Sequence, residues 1–289
     1  MSCCAPSSGP REESRGHDVP AGAGAAVLAT PWRAVPGGPV RIGSEDPFGY
    51  PEDGESPVRT VDLAPVELSA VTVTNADWAA FVAATGHRSL AERSGWSYVV
   101  AGFVADPERW PAVAAAPWWL RVDGATWATP EGPGSDVEDR ADHPVVHVSH
   151  GDATAFARWA GARLPTEVES EAAARGGLDQ ATFPWGEELT PGGEHRMNVW
   201  QGSFPEVNTG EDGWIGTCPV RSYEANGYGL HCVTGNVWEW TASGDDPAVV
   251  TKGGSYLCHA SYCRRYRPAA RQLLAPGSTT GNLGVRLAR

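Results

Sequence analysis

The chain has 289 residues, of which 41% are hydrophobic and 13 are tryptophan, so it is long enough to build a substantial core. Its formal net charge is −13 at pH 7 and Lys252 is the only lysine, which excludes nucleic acid as the main partner. With 35 glycines and 24 prolines, the chain is predicted to be rich in turns and below average in regular secondary structure.

The N-terminal residues 1–30 are rich in Pro, Ser, Gly and charge, and are predicted to form a disordered tail. This tail contains Cys3 and Cys4, which are either two incidental exposed thiols or a transient copper or redox contact. We favour the first interpretation, because adjacent thiols on a flexible tail make a poorly organised site. Residues 31–289 show no repeat and no compositional break, which indicates one domain.

Cellular location is predicted from the absence of membrane and export signals. No apolar run approaches the ~18 residues that span a bilayer, and charged residues interrupt the N-terminus before any apolar run. The cysteines are too sparse for a disulfide scaffold in a chain of this length. We therefore expect a cytoplasmic monomer with reduced thiols and no membrane association.

The first part of the domain is predicted to contain two strands and a helix. Residues 40–43 and 58–63 have the alternation of short strands. A helix is predicted to begin at Thr74 or Asn75, either of which can act as its N-cap, and to stop at Gly86.

The middle of the chain concentrates aromatic residues and histidines. Residues 95–135 carry five tryptophans among Pro and Gly, which favours packing, with some lining a peptide groove. His143, His147 and His150 have unequal parities along a strand-like run, so they cannot share one strand face, and we expect structural roles for them. Residues 152–160 are predicted to form a helix.

Three further elements are predicted towards the C-terminus. A helix over 165–176 begins with a capping box between Thr166 and Glu169. Residues 208–213 form an acidic, turn-forming loop, a type that is more often a solvated turn than a calcium ligand. The alternation over 283–287 predicts a strand that ties the C-terminus into a sheet.

Two cysteines lie in the segment that follows a predicted strand over 249–257. Cys258 and Cys263 are five positions apart, so on a continuous strand or helix their side chains would diverge. They act together only if residues 259–262 form a turn. From the spacing alone, a disulfide or two unrelated buried thiols are favoured, because C-x4-C is not a strong zinc signature.

The residues around this pair strongly resemble the active-site signature of the formylglycine-generating enzymes, or sulfatase-modifying factors, which convert a cysteine of a sulfatase into formylglycine. The signature reads G-G-S-Y-L-C-H-x-S-Y-C-x-R-Y-R over residues 253–267. The resemblance extends from about residue 35 to the C-terminus, through the segments R-L-P-T-E (163–167), N-G-Y-G-L (226–230), G-N-V-W-E-W (235–240) and N-L-G-V-R (282–286). It implies a single, irregular mixed α+β domain of the sulfatase-modifying, C-type-lectin-like kind.

This resemblance implies a copper-dependent oxidase that uses O2. Cu(I) would be held by Cys258 and Cys263, since thiolates are soft ligands suited to Cu(I), and the substrate cysteine would join as a third thiolate. Ser255 and Asn282 match family positions that line the pocket. The partner would be an unfolded sulfatase segment with a C-x-P-x-R motif, bound in an extended conformation. No dinucleotide or P-loop fingerprint is present, so an organic cofactor is not indicated.

The resemblance also implies calcium binding. The first family site matches four oxygen ligands: Asn198, the Val199 carbonyl, Asp212 and the Trp214 carbonyl. The second matches Cys232, Gly235, Val237 and Glu239, where the family usually has Asn at the first position. A thiol is a poor ligand for a hard cation, so we expect one tightly bound calcium ion per chain.

Two alternative functions compete with the oxidase. A catalytically silent paralogue would use the same scaffold to bind a peptide or a glycan, but the intact Cys258 and Cys263 argue against it. A relative of the iron-dependent sulfoxide synthases would need a separate helical domain with iron-binding histidines, and the sequence has no such region.

Overall fold

The computed structural model describes Pro6 and residues 21–23, 30–245 and 247–289. Most of the predicted tail, including Cys3 and Cys4, therefore lies outside the described residues. The described part contains four α-helices: α1 (Asn75–Thr85), α2 (Leu90–Ser94), α3 (His150–Trp159) and α4 (Glu167–Arg175). Its thirteen strands are β1 (Trp32–Val35), β2 (Gly38–Ile42), β3 (Arg59–Leu63), β4 (Val66–Ser69), β5 (Trp96–Val100), β6 (Ala112–Val113), β7 (Ala116–Asp123), β8 (Gly202–Ser203), β9 (Val207–Asn208), β10 (Trp238–Asp245), β11 (Ala248–Lys252), β12 (Arg271–Leu274) and β13 (Leu283–Gly284).

The helices begin at capping boxes that local sequence encodes. The predicted α1 is confirmed: Thr74 caps the amide of Asp77, the Asp77 carboxylate caps Thr74 in return, and Gly86 ends the helix at φ 67°. The predicted box of α4 between Thr166 and Glu169 is confirmed in the same way.

The boundaries of the other two helices differ from the prediction. α3 begins at His150, two residues early, because Ser149 and Asp152 form its capping box. The short α2 was not predicted, although Ser89 and Glu92 form a capping box that marks its start. In both cases the missed signal was a polar residue followed three positions later by an acidic one.

The strands form several small sheets. Antiparallel pairs join β1 to β4, β2 to β3 and β8 to β9, and β7 lies between β5 and β6 in an antiparallel sheet. A four-stranded sheet has the order β12-β11-β10-β13, in which β13 runs parallel to β10. These short elements confirm the predicted irregular, mixed α+β fold.

Two predicted strands are shorter than expected. The strand predicted over 249–257 ends at Lys252, because Gly253 and Gly254 turn the chain at φ 99° and 73°. A Cβ atom on Gly254 would lie 2.4 Å from the Arg265 carbonyl oxygen, so glycine is required at this crossing. The strand predicted over 283–287 is limited to residues 283–284, although Leu287 still accepts a hydrogen bond from Ser69 N (2.9 Å).

The main core contains both cysteines and a group of large aromatic side chains. Trp78 stacks on Phe156 with 5.4 Å between ring centroids, and Trp159 packs against the same ring at 5.6 Å. Cys258 and Cys263 belong to this buried cluster. Among the described residues, no helix combines the length and the apolar character that crossing a membrane requires.

Candidate active site

The candidate site is built on a turn that brings Cys258 and Cys263 together. Two hydrogen bonds close this turn: Tyr262 N and Cys263 N both donate to the His259 carbonyl, at 3.0 and 2.7 Å. The two Sγ atoms face each other at 3.6 Å and both residues are fully buried. This separation is much longer than a disulfide bond of about 2.05 Å, so the interpretation that these two cysteines form a disulfide with each other is wrong.

Ser255 and Asn282 lie beside Cys258, as the resemblance implies. Asn282 Nδ2 donates to Ser255 Oγ at 2.9 Å, and both side chains are fully buried. Ser255 N points at Cys258 Sγ at 3.4 Å, and the Ser255 carbonyl accepts from Cys258 N at 2.9 Å. The structure therefore gathers all four predicted catalytic residues around one pair of sulfur atoms.

A loop near the N-terminus also contacts this site, and this contact was not predicted from the sequence. Arg265 Nη1 lies 3.6 Å from Cys263 Sγ, and the same guanidinium pairs with the carboxylate of Asp53. Tyr50 Oη accepts from Arg264 N at 2.9 Å and donates to the Tyr262 carbonyl at 3.3 Å. The only local hint was the pattern of arginines after Cys263.

Half-buried aromatic rings flank the cysteine turn. Phe204 stacks on Tyr262 with 4.7 Å between ring centroids, and Trp118 packs edge-on against both rings at 5.2 and 5.0 Å. Trp200 completes the cluster against Phe204 at 5.1 Å. Trp118 comes from β7, Phe204 from the turn after β8 and Tyr262 from the cysteine turn, and the buried Trp200 lies just before β8, so only the tertiary structure assembles these rings.

The sequence and this geometry agree with comparisons to known proteins. The family model described as "Sulfatase-modifying factor enzyme 1-like domain" matches residues 29–289. The chain belongs to this family. It is similar to the formylglycine-generating enzyme of Thermomonospora curvata, with 55% identity over 278 residues that cover 88% of this chain and 92% of the relative.

Relatives of the sulfatase-modifying factor family extend beyond active enzymes. The chain is 42% identical over 264 residues to a Bos taurus protein named inactive C-alpha-formylglycine-generating enzyme 2, covering 88% of this chain and 86% of that relative. The solved structure of PvdO from Pseudomonas aeruginosa shares the fold, with a TM-score of 0.65 at 21% identity over 89% of this chain and 93% of that one.

The positions that match the first family calcium site are partly assembled. Val199 N donates to Asp212 Oδ2 at 2.9 Å, and Trp214 N donates to Asp212 Oδ1 at 3.0 Å. Asn198 is buried, and its Oδ1 has no hydrogen-bond partner within the described part of the chain. An orphaned buried oxygen beside a carboxylate loop fits a hard cation, which is bound by oxygen ligands.

Gln201 also contacts these residues and was not predicted. Its Nε2 donates to Asp212 Oδ2 at 2.9 Å and to the Val199 carbonyl, and its Oε1 accepts from Asp212 N at 3.2 Å. The Gln201 amide thus links two of the four predicted ligand oxygens, the Val199 carbonyl oxygen and Asp212 Oδ2. The amide would have to rotate away before both oxygens could bind one cation.

The positions that match the second calcium site do not fit a cation. Arg286 Nε lies 2.9 Å from Glu239 Oε2, and its Nη2 lies 2.9 Å from Oε1, so the only carboxylate is already neutralised by a guanidinium. Burial raises the pKa of Glu239 above its usual value, and Arg286 opposes this shift. Cys232 is buried beside Cys218, and a calcium ion has no oxygen to gain from a thiol.

The three predicted histidines are held by separate partners. His143 Nδ1 lies 2.9 Å from Thr217 Oγ1, and His150 Nε2 lies 3.1 Å from the Thr241 carbonyl. His147 is fully buried, and burial lowers its pKa to about 4, so it is neutral at pH 7. No group of three metal-ligating side chains of the His, Cys, Asp and Glu types occurs within the described ranges.

Proposed function

We propose that this chain is an O2-dependent oxidase that converts the cysteine of a C-x-P-x-R segment in sulfatases into formylglycine. One observation carries the proposal: Cys258 and Cys263 place two buried sulfurs 3.6 Å apart in a chain that is 55% identical to a formylglycine-generating enzyme. Ser255 and Asn282 place a hydroxyl and an amide beside Cys258, and we assign them the role of orienting polar groups of the substrate.

Cu(I) is the metal that these donors suit. Thiolates are soft ligands, and two of them at this separation can hold one soft cation between them, whereas zinc sites in proteins usually use four ligands. When bound, Cu(I) supplies the one-electron chemistry with O2 that no side chain provides. Cys263 is disulfide-bonded in this structure, so the protein must be reduced before both sulfurs can act as thiolates.

The surface beside the cysteines supports an extended peptide as the substrate. The rings of Trp118, Phe204 and Tyr262 are only partly buried, so they offer apolar area next to Cys263. The net charge of −13 favours a basic segment such as one carrying the arginine of C-x-P-x-R. Backbone hydrogen bonds and a few side-chain pockets recognise such extended peptides.

Conversion of a peptide tests the proposed function. The reduced chain loaded with one equivalent of copper is expected to turn a C-x-P-x-R peptide into its aldehyde while consuming O2, measured by mass spectrometry with a thiol reductant in every sample. A Cu(I) chelator should suppress the product, and a peptide with Ser in place of Cys is the control. A chain that binds the peptide without converting it would instead be the silent, peptide-binding paralogue.

We also propose one calcium ion per chain, bound by Asn198, Asp212 and the carbonyls of Val199 and Trp214. The support is the orphaned Asn198 Oδ1 and the position of Asp212 against the main chain of its neighbours. The proposal excludes the second family position, because Glu239 is engaged by Arg286.

Calcium is expected to raise the unfolding temperature, and Asp212→Asn should abolish this increase. A ligand that binds only the folded state stabilises it by about 2.7 kcal/mol at a free concentration 100 times its Kd. The control is Glu211→Gln, which removes an exposed carboxylate from the same loop without touching the proposed ligands. Thermal unfolding with calcium and with EDTA measures the effect; two tight sites, or none, by elemental analysis would contradict the proposal.

A further inference from the structure

We propose that Arg265, held in place by Asp53, is a positioning residue for the Cys263 sulfur and supplies the positive charge that balances an anionic two-thiolate copper site. This inference rests on the proposed function. Its direct observation is the contact of 3.6 Å between Arg265 Nη1 and Cys263 Sγ.

The guanidinium of Arg265 is fixed from several directions. Its Nη2 donates to Asp53 Oδ1 at 2.8 Å, its Nε contacts Asp53 Oδ2, and its Cζ lies 4.1 Å from the ring centroid of Tyr50. The side chain of Arg265 is only 4% exposed and that of Asp53 only 11%. Because a bidentate carboxylate occupies one edge of the guanidinium, the remaining Nη1 is directed at the sulfur.

The loop that carries Tyr50 and Asp53 is itself held by hydrogen bonds. Asp53 ends a 3-10 turn (Pro51–Asp53), and its carbonyl accepts from Arg271 Nη1 at 2.8 Å. Tyr50, just before this turn, bonds through its hydroxyl to the main chain of Tyr262 and Arg264, the two neighbours of Cys263 in sequence. The loop therefore braces the backbone around Cys263 as well as the arginine that touches its sulfur.

Charge explains why a cation is needed at this place. Two thiolates and one Cu(I) carry a net negative charge, and a substrate thiolate would add another. A buried anion is costly unless it is paired and hydrogen-bonded. Cys258 and Cys263 are fully buried, and Arg265 brings a guanidinium within contact of one of the two sulfurs.

A neighbouring ion pair provides a matched comparison. Arg267 forms a bidentate pair with Glu55 at 2.8 Å for both hydrogen bonds, and its side chain is 2% exposed. This pair resembles Arg265–Asp53 in burial and geometry, and it ties the same two segments together. Its structural role is similar, but its hydrogen bonds go to Glu55 and to the Arg264 carbonyl rather than to a cysteine sulfur.

The test measures Cu(I) affinity of the reduced chain by competition with a chromophoric Cu(I) chelator. Arg265→Gln is expected to weaken Cu(I) binding by about tenfold to a hundredfold, which is the effect of losing a charge-assisted hydrogen bond. Arg265→Lys should recover part of the Cu(I) affinity, because lysine restores the positive charge but not the planar, bidentate guanidinium. Arg267→Lys should lower the unfolding temperature and leave Cu(I) affinity unchanged.

A second pair of variants covers the case in which Arg265→Gln does not fold. Asp53→Asn keeps Arg265 but loosens it, and is expected to weaken Cu(I) binding, whereas Glu55→Gln is not. Wild-type Cu(I) affinity in Arg265→Gln, or in Asp53→Asn, would overturn the inference, as would an equal loss in the matched Arg267 or Glu55 variant. Failure of the wild-type chain to bind Cu(I) would instead overturn the copper site and this inference with it.

Discussion

Replacing either Cys258 or Cys263 by serine is expected to abolish formation of the aldehyde. A hydroxyl is a much poorer ligand for Cu(I) than a thiolate, and the site offers two sulfurs at 3.6 Å. We expect conversion of a C-x-P-x-R peptide to fall by at least about a thousandfold, as for other residues that hold a catalytic metal or nucleophile. Mass spectrometry of the peptide product, with copper supplied in excess, measures the loss.

The control for this prediction is Cys232→Ser, which changes another buried cysteine outside the active site. It should retain conversion. Thermal unfolding of all three variants separates loss of chemistry from loss of fold, and the two active-site variants should still unfold cooperatively. Undiminished conversion by Cys263→Ser would rule out copper binding by this pair.

Arg286→Met is expected to destabilise the chain by about 3–5 kcal/mol, because it leaves the buried carboxylate of Glu239 unpaired. Arg286 and Glu239 are both almost fully buried, and Arg286 also donates to the carbonyls of Ser69 (2.9 Å) and His231 (2.8 Å). Removal of the Arg286 guanidinium therefore takes a hydrogen-bond donor from three acceptors: the Glu239 carboxylate and the two carbonyls. Denaturant unfolding at pH 7 measures the loss.

The loss in Arg286→Met should depend on pH. Burial raises the pKa of Glu239, and Arg286 opposes this shift, so without Arg286 the folded-state pKa rises further. A carboxyl with a raised folded-state pKa destabilises the fold as pH rises through that pKa, so the loss should be larger at pH 7 than at pH 5. Arg289→Met is the control, because its pair with Glu67 is about half exposed and should contribute less than about 1 kcal/mol. A loss equal to that of Arg289→Met would contradict the prediction.

Local sequence determined two of the helices and the choice of candidate site residues. The N-cap of α1 and the capping box of α4 were predicted because each depends only on residues within three positions, and the helix ends at Gly86 and Gly176 need only one residue with a positive φ. The four candidate catalytic residues were chosen from short motifs, since Ser255, Cys258 and Cys263 lie in one signature and a second motif supplies Asn282, and the fold brings them together. Except for Asn282, whose contact with Ser255 spans 27 positions, each pattern lies in the same short stretch of chain as the contact that it predicts.

Strand lengths and the partners of buried charges were decided by the tertiary structure. The strand over 249–257 ended at Lys252 because Gly253 and Gly254 turn the chain at positive φ, and the close approach of Gly254 to the Arg265 carbonyl requires glycine there. Glu239 was a predicted calcium ligand by resemblance, but in the fold it meets Arg286, 47 positions later. A sequence pattern does not record which distant charge will neutralise a buried carboxylate.

The surroundings of the two sulfurs show the same division most clearly. The sequence alone determined that Cys258 and Cys263 need a turn between them, since their spacing prevents them from meeting on a regular strand or helix. Only the fold brings Asp53 to Arg265 across 212 positions, and so sets a guanidinium against Cys263. Periodicity and capping report contacts within a few residues, whereas this contact depends on how two distant loops pack, which is fixed by the whole core.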